Sequence, residues 1–499
     1  MQIASALGTR SMVATLREVA ALPEGLLQRA LGTLDRAELL VRTDSVAEDT
    51  VEFPHEMVRQ VTYDSMVERA RERVHERILY ALESDARSRD ELDKLCFHAV
   101  RSKDWTKAFS YGRSVAQKSV ARSAFADATS YFEIAMDALD RSPISRSREI
   151  EAIDLRIEAR MAFMGSGKVV EWLQLGKEAE RRSDSIGDIG RKVAAMTVRS
   201  AAQNFYGTPL EAIATGEQVV RLAEEWGNPG WLSLAEYGLG QAYFLGGRFR
   251  DAEAMLGRAC TQLMGPDPRA PIGTTAKNLL LVCCMMKSVT HATMGELDSA
   301  KESQQRAEAL ADESGRPFDH VAAAWSGGVL LLAEGNAEAA IPVLDEAFAQ
   351  AEEHGVRIFV PVIACQRGMT YSELKQIDAA VGSLTESREI ARAVGYTSIF
   401  LRCSIYLALA LEQKGDPAGA LKMVREARNA ARQQGFEGIE AEALLFEAMI
   451  LPAVNEENKT TIIHNLRASI AISSRLEARP LLQKGETFLN RMLAGTEET

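Results

Sequence analysis

The residues most suggestive of catalysis are Gly165-Ser166-Gly167-Lys168-Val169, which carry the glycines and lysine of a phosphate-binding loop. That chemistry needs G-x-x-x-x-G-K-[ST], with the final hydroxyl on magnesium and a strand leading into the loop. Counting back five from Gly167 gives Ala162, Val169 stands where the hydroxyl belongs, and the preceding residues follow a helical pattern. The segment therefore reads as a turn between helices. His55, after Pro54, reads as a helix-start residue hydrogen-bonded locally. His75 lies among Arg69, Arg71, Arg73 and Arg77, and Glu68, Glu72 and Glu76 each stand three residues from one of these arginines. Such a helix could hold phosphate, but the alternation of signs reads as a solvated face. The remaining histidines are isolated, no His/Cys/Asp cluster has metal-ligand spacing, and no G-x-S-x-G motif is present. The sequence thus offers no catalytic residue and no metal site.

The six cysteines, Cys96, Cys260, Cys283, Cys284, Cys365 and Cys403, include no CxxC pair and sit mostly in apolar helical text. Buried free thiols in a reducing cytosol fit this usage. Cys283-Cys284-Met285-Met286 reads as helix core rather than a soft-metal site, because adjacent residues face different sides. The start of the chain lacks the charged and apolar regions of a leader, and no eighteen-residue apolar run occurs. The expectation is a cytoplasmic protein that meets no membrane.

The elements that position these residues are set by a recurring turn. Gly187, Gly227, Gly315, Gly355, Gly395 and Gly435 form one series, and Gly167, Gly207, Gly247, Gly295, Gly335, Lys375 and Gly415 a second. Within each series the step is forty, and the two are offset by twenty. The step from Gly247 to Gly295 is forty-eight, an insertion placed near Gly265-Pro266-Asp267-Pro268. A fixed period in this range marks stacked units, each too small to bury a core alone. About sixteen residues separate successive turns, enough for a helix of roughly 24 Å. Ala252, Leu256 and Ala259, then Ala340, Leu344 and Ala347, then Ala420, Val424 and Ala427 place small and apolar residues on one helical face. An all-α solenoid of helix hairpins with about 40-residue repeats follows. Glycines in near-equivalent turns predict similar losses on replacement by Val at Gly315, Gly355, Gly395 and Gly435.

One unit reads Ala235-x3-Leu239-Gly240-x2-Tyr243-x3-Gly247-x-Phe249-x2-Ala252-x3-Leu256-x2-Ala259. It closely resembles the tetratricopeptide (TPR) consensus, and Gly368-x2-Tyr371 with Ala380 and Leu384 matches more loosely. The TPR resemblance covers roughly residues 101–480 and implies binding of proteins or peptides. Trp226, Trp231, Tyr237, Tyr243, Phe244 and Trp325 cluster in the middle repeats. Tyr243 and Phe249 take packing positions, whereas Trp231, Tyr237, Gln241 and Phe244 are candidate partner-binding residues on a concave groove. The helix carrying them, about 231–245, would share that groove with 198–206 and 277–290.

The first hundred residues leave the twenty-residue beat. Ala4–Leu7, Val13–Val19 and Glu24–Leu34 read as helices, and Leu39–Arg42 and Val51–Phe53 as strands around an acidic loop with Asp44, Glu48 and Asp49. Three helices and a two-stranded wing describe a winged-helix module over 1–67, with linking helices over 68–100 and the solenoid over 101–499. The acidic wing and a formal net charge of −12 argue against nucleic acid as a partner.

Phe53-Pro54-His55-Glu56 with Tyr63 and Met66, followed by Val74-His75-Glu76-Arg77-Ile78 and Leu82-Glu83, resembles a specific family. It is similar to the region after the nucleotide-binding module of bacterial STAND-type signalling ATPases, especially those fused to class III adenylate cyclase domains. Lys103-Asp104-Trp105 with Ala108 and Tyr111, then Ala128, Tyr131-Phe132, Met136 and Leu139, resembles that family's first repeat. The family order is cyclase, P-loop ATPase, winged helix, then TPR-like repeats. Met1 falls inside the winged helix, so the catalytic modules are not in this chain. The resemblance implies a sensor or partner-binding arm of a signalling protein, itself without cofactor. ATP or ADP would belong to a full-length homologue, where His55 would contact the nucleotide phosphate if a P-loop module is present. The alternatives are a subunit completing a split ATP-binding or cyclase enzyme, and a transcriptional regulator.

Overall fold

The computed structural model describes residues 1–44, 49–84, 91–266, 269, 275–454 and 459–494. The chain divides into two compact units, Met1–Lys118 with Ser130–Leu155, and Ser119–Thr129 with Arg156–Thr499.

The first unit begins with α1 (Gln2–Leu7), β1 (Arg10–Met12), α2 (Val13–Ala20), α3 (Glu24–Arg36), β2 (Val41–Asp44) and β3 (Asp49–Glu52). The three helices and two later strands lie where the sequence predicts them, shifted by two residues at the first strand. A third strand joins them. β3 is central, pairing antiparallel with β1 (Ser11 opposite Val51) and with β2 (Arg42 opposite Val51). Val51 and Phe53 close a small core with Val13, Leu16, Leu27, Leu31 and Leu40. Arg42 donates to Asp49 across the wing. Glu48 of the expected acidic loop lies outside the described residues. Then come α4 (Glu56–Asp64), α5 (Glu68–Ser84), α6 (Leu92–Arg101), α7 (Trp105–Ala121), α8 (Phe125–Arg141) and α9 (Arg146–Glu158).

The second unit is an all-α, TPR-like helix-hairpin solenoid. Its first helices are α10 (Arg160–Gly165), α11 (Val169–Ile186), α12 (Ile189–Gln203), α13 (Pro209–Trp226), α14 (Pro229–Leu245) and α15 (Phe249–Leu263). There follow α16 (Ala276–Met294), α17 (Leu297–Ser314), α18 (Pro317–Ala333), α19 (Ala337–Glu353), α20 (Val360–Glu373) and α21 (Ile377–Val394). The last are α22 (Thr397–Gln413), α23 (Pro417–Gln434), α24 (Glu437–Val454), α25 (Lys459–Arg475) and α26 (Arg479–Ala494). The turn after α15 holds the predicted insertion, of which Asp267 and Pro268 lie outside the described residues.

Apart from Gly207 at φ +158°, the glycines of both series adopt left-handed backbone, from φ +61° at Gly315 to +92° at Gly415. Each frees a helix end without the penalty a Cβ brings there. Lys375 takes the same conformation, φ +58°, where the second series lacks its glycine. Ser166-Gly167-Lys168 is such a turn too, with helices on both sides and no strand before it. Within a hairpin, the first helix sets a small residue against a large one sixteen positions on. A Cβ added at Gly240, Gly328 or Gly368 would lie 2.8, 2.4 or 2.4 Å from Leu256, Leu344 or Leu384. The missing side chain lets the two helices approach closely and interdigitate.

The even-numbered helices from α12 to α24 each pack on the next even-numbered helix as well as on their hairpin partner. They therefore form the inner wall of the winding. The winding also closes on itself, because turns far apart in sequence meet. Arg250 ion-pairs with Glu477, 227 residues away, at 3.0 Å. The Thr397 N–H donates to the Phe205 carbonyl at 3.3 Å, and the Phe205 and Tyr396 rings lie 4.9 Å apart. Gly395 abuts Tyr206, Gly435 abuts Leu210 and Gly247 abuts Leu476. The helices thus enclose their axis instead of leaving an open trough.

Candidate functional site

The closed winding encloses a cavity of roughly 140 Å³. Two inner helices contribute stripes at helical spacing: Leu234, Tyr237 and Gln241 from α14, and Asn278, Val282 and Met285 from α16. Thr197, Val198 and Ala201 of α12 and Trp325 of α18 complete the wall. The segments 198–206 and 277–290 therefore meet the 231–245 helix as the periodicity predicts. What they share is a partly enclosed chamber and not a flat open groove.

Two of the four candidate partner-binding residues, Tyr237 and Gln241, line this cavity. Burial pushes the Tyr237 phenol far above its ordinary range, against the opposing pull of a hydrogen bond with Gln241. The other two are packing residues. Trp231 is 8% exposed, with the Arg160 guanidinium 5.7 Å from its ring centroid, and Phe244 packs on Phe249 at 5.4 Å. Trp231 is thus buried in the hairpin packing, whereas Phe244 is half-buried beside it. Glu236, on the same helix, is fully buried against Arg258 and Gln262.

Polar groups gather at one end of the cavity. Asp319, 1% exposed at the start of α18, accepts from Asn278 Nδ2 and from Ser314 Oγ, each at 2.7 Å. Arg316 Nε stands 3.8 Å from the same carboxylate, too far for a hydrogen bond, and has no acceptor. Arg160, also on the wall, donates to the Ile157 carbonyl at 3.0 Å. Burial lowers its pKa to about 10, with Glu158 opposing the shift. The indole N–H groups of Trp172 and Trp325, two further lining residues, have no acceptor either. Donors therefore outnumber acceptors around an otherwise apolar space. Reading the sequence missed Arg160, Arg316, Asp319 and Trp172. The available signal was an inner helix such as α16, apolar nearly all round, which a one-sided groove does not require.

In the first unit His55 caps α4, exposed and with no side-chain capping bond. The local hydrogen bond expected of it is absent from this cap. Around it Met57 and Val61 are 77% and 64% exposed, and α4 has no buried residue.

His75 departs from the solvated-face expectation. The arginines at 69, 73 and 77 are exposed, but His75 turns inward with Ile78, Leu79 and Leu82 and is 0% exposed. Its Nδ1 lies 2.8 Å from His98 Nδ1 and its Nε2 2.9 Å from the Tyr63 hydroxyl. Burial lowers the pKa to about 4 at His75, and burial with the neighbouring His75 lowers that of His98 to about 3. The six cysteines are buried free thiols. Among the described residues no three His, Cys, Asp or Glu side chains gather as a metal site, and no helix is long and apolar enough to cross a membrane.

No protein-family model and no curated protein matches the chain. Among solved structures it is similar to a Rap protein complexed with Competence and Sporulation Factor, at 9% identity and a TM-score of 0.44, over 79% of this chain and 99% of that one. A Rap conjugation gene regulator of plasmid pLS20, in complex with the Phr* peptide, shares 14% identity at a TM-score of 0.45, over 64% and 92%. A STAND protein with a tetratricopeptide repeat sensor from Pyrococcus horikoshii shares 10% identity at a TM-score of 0.38, over 99% of this chain and 63% of that one.

Proposed function

We propose that the chain is a protein-interaction arm, the sensor or partner-binding part of a STAND-type signalling ATPase or cyclase-like protein, and is not itself an enzyme. The observation that carries the reading is the join of two features in one chain. A small helix–strand–helix–helix–strand–strand module, which we take as a winged helix, presents His55 beside exposed Met57 and Val61. A TPR-like solenoid follows, and folds of this kind act by binding. The partner is a protein or peptide, and the P-loop module of the same signalling system is the partner proposed for the His55 face, with ATP or ADP held by that module. Exposed apolar side chains grouped on one helix mark a candidate docking face.

Crosslinking and mass spectrometry on the tagged chain in its native cell test this. The expected result is a crosslinked protein carrying a P-loop nucleotide-binding module, with links to α4 that weaken in His55→Ala/Met57→Ser. Partners without such a module would refute the STAND assignment and leave the interaction role standing. No protein partner at all would refute both.

A further inference from the structure

We infer that the cavity inside the solenoid binds a small free carboxylic acid with an apolar, single-ring or branched body. The volume sets the size. A space of roughly 140 Å³ is closed on its flanks by stacked hairpins, and a dry cavity of about 150 Å³ holds one benzene ring. A folded domain or a run of peptide residues does not fit.

The lining sets the chemistry. Met164, Leu234, Val282 and Phe359 give the body an apolar seat, and Tyr237 and Trp325 give it flat faces. The charged lining side chains are two cations, Arg160 and Arg316, against one anion, Asp319. Asp319 is already supplied by Asn278 and Ser314, whereas Arg316 Nε has no acceptor. Glu158 opposes the effect of burial on Arg160, whereas Arg316, 3.8 Å from Asp319 and not hydrogen-bonded to it, keeps its Nε–H for a further acceptor. It also sits at the N-cap of α18, a 17-residue helix whose first amide groups favour negative charge. A planar guanidinium beside an apolar chamber matches a carboxylate on a compact hydrocarbon. The unpaired indole N–H groups add donors, not acceptors, which again selects an acceptor-bearing ligand over an amine.

The inference does not depend on the STAND assignment, and its test needs no protein partner. Calorimetric titration of the full chain with benzoate, phenylacetate and 4-methylpentanoate is compared with benzamide, acetate and a short peptide ending in Phe. At least one of the three larger acids should bind, with benzamide and acetate about tenfold or more weaker, the range of a charge-assisted hydrogen bond. Arg316→Gln should erase the preference for acid over amide. Val282→Phe, which fills the chamber, should abolish binding while leaving the melting curve cooperative. If Arg316→Gln unfolds, the acid–amide comparison on the unmodified chain and on Arg316→Lys still decides the matter. Equal binding of acid and amide, or full binding to Val282→Phe, overturns the inference. So does binding of the Phe-terminated peptide alone, which would assign the chamber to a peptide's end.

Discussion

Gly315 and Gly395 occupy equivalent turns two forty-residue periods apart, yet they should respond unequally to alanine. Both have left-handed backbone, φ +61° and +78°, so an added Cβ costs each about 1–2 kcal/mol. At Gly315 the new atom meets nothing within 4 Å. At Gly395 it would lie 2.5 Å from Tyr206 Cδ2, against a carbon–carbon optimum of about 3.5–4.0 Å, so ring or backbone must shift by roughly 1 Å. The Tyr206 ring is 41% exposed and can rotate partly, but the backbone beside it is tied down, because the Phe205 carbonyl accepts the Thr397 N–H and the Phe205 ring packs on Tyr396. Overpacking of this kind adds about 1–3 kcal/mol. The expected losses are therefore ~1–2 kcal/mol for Gly315→Ala and ~2–5 kcal/mol for Gly395→Ala. This corrects the expectation of similar losses at every turn, because contact between successive coils distinguishes sites that the repeat makes alike. Urea unfolding followed by circular dichroism and tryptophan fluorescence measures both. Combining Gly395→Ala with Tyr206→Ala should recover the difference, a coupling of about 1–3 kcal/mol. Equal losses at the two glycines, or a coupling near zero, would refute the closed winding and with it the enclosed cavity.

Lys375→Gly should stabilise the chain by about 0.5–1 kcal/mol in the same assay, since it relieves left-handed strain at φ +58° at the smaller entropic cost of a glycine. The His75–His98 pair should make the first unit acid-sensitive. Both pKa values are lowered on folding, so the unfolded chain binds the extra protons, and stability present above about pH 6.5 is lost as pH falls towards 4 and then 3. Melting at pH 7 and pH 5 should show the drop, and His98→Gln should flatten it. Glu236 should act in the opposite sense: burial raises its pKa to about 7, so its contribution is present below about pH 4.5 and lost as pH rises through 7. In Glu236→Gln the decline in stability between pH 5 and pH 8 should be smaller than in the unmodified chain. The purified chain should hydrolyse no ATP, and turnover that Lys168→Ala abolishes would contradict the turn assigned to Gly167.

Local pattern carried the hairpins. The series glycines other than Gly207 are left-handed as their spacing predicts, and Lys375 keeps the conformation where the residue type changes. The consensus residues Leu239, Tyr243, Phe249, Ala252 and Leu256 are buried as TPR-like packing requires. A three-residue strand such as β1 is too short to leave a periodic trace, so the sheet reads as two strands when it has three. His75 was legible in principle. It shares a face with Ile78, Leu79 and Leu82, but the surrounding arginines mask that stripe.

The closure of the solenoid is a different kind of fact. It depends on pairs such as Tyr206 with Gly395 and Arg250 with Glu477, which join turns whose own sequences obey only the local rule. A period fixes the geometry of one hairpin on the next, and small rotations summed over several hairpins decide whether the ends of a coil meet. The site inherits that dependence. Tyr237 and Gln241 were identifiable as residues outside the packing positions, but whether they face solvent, a groove or a chamber is set by hairpins far along the chain. Arg316 shows the consequence most sharply: at the sequence level it is one arginine before a helix-starting proline, and only the closed coil turns it into a buried-edge cation facing an apolar space.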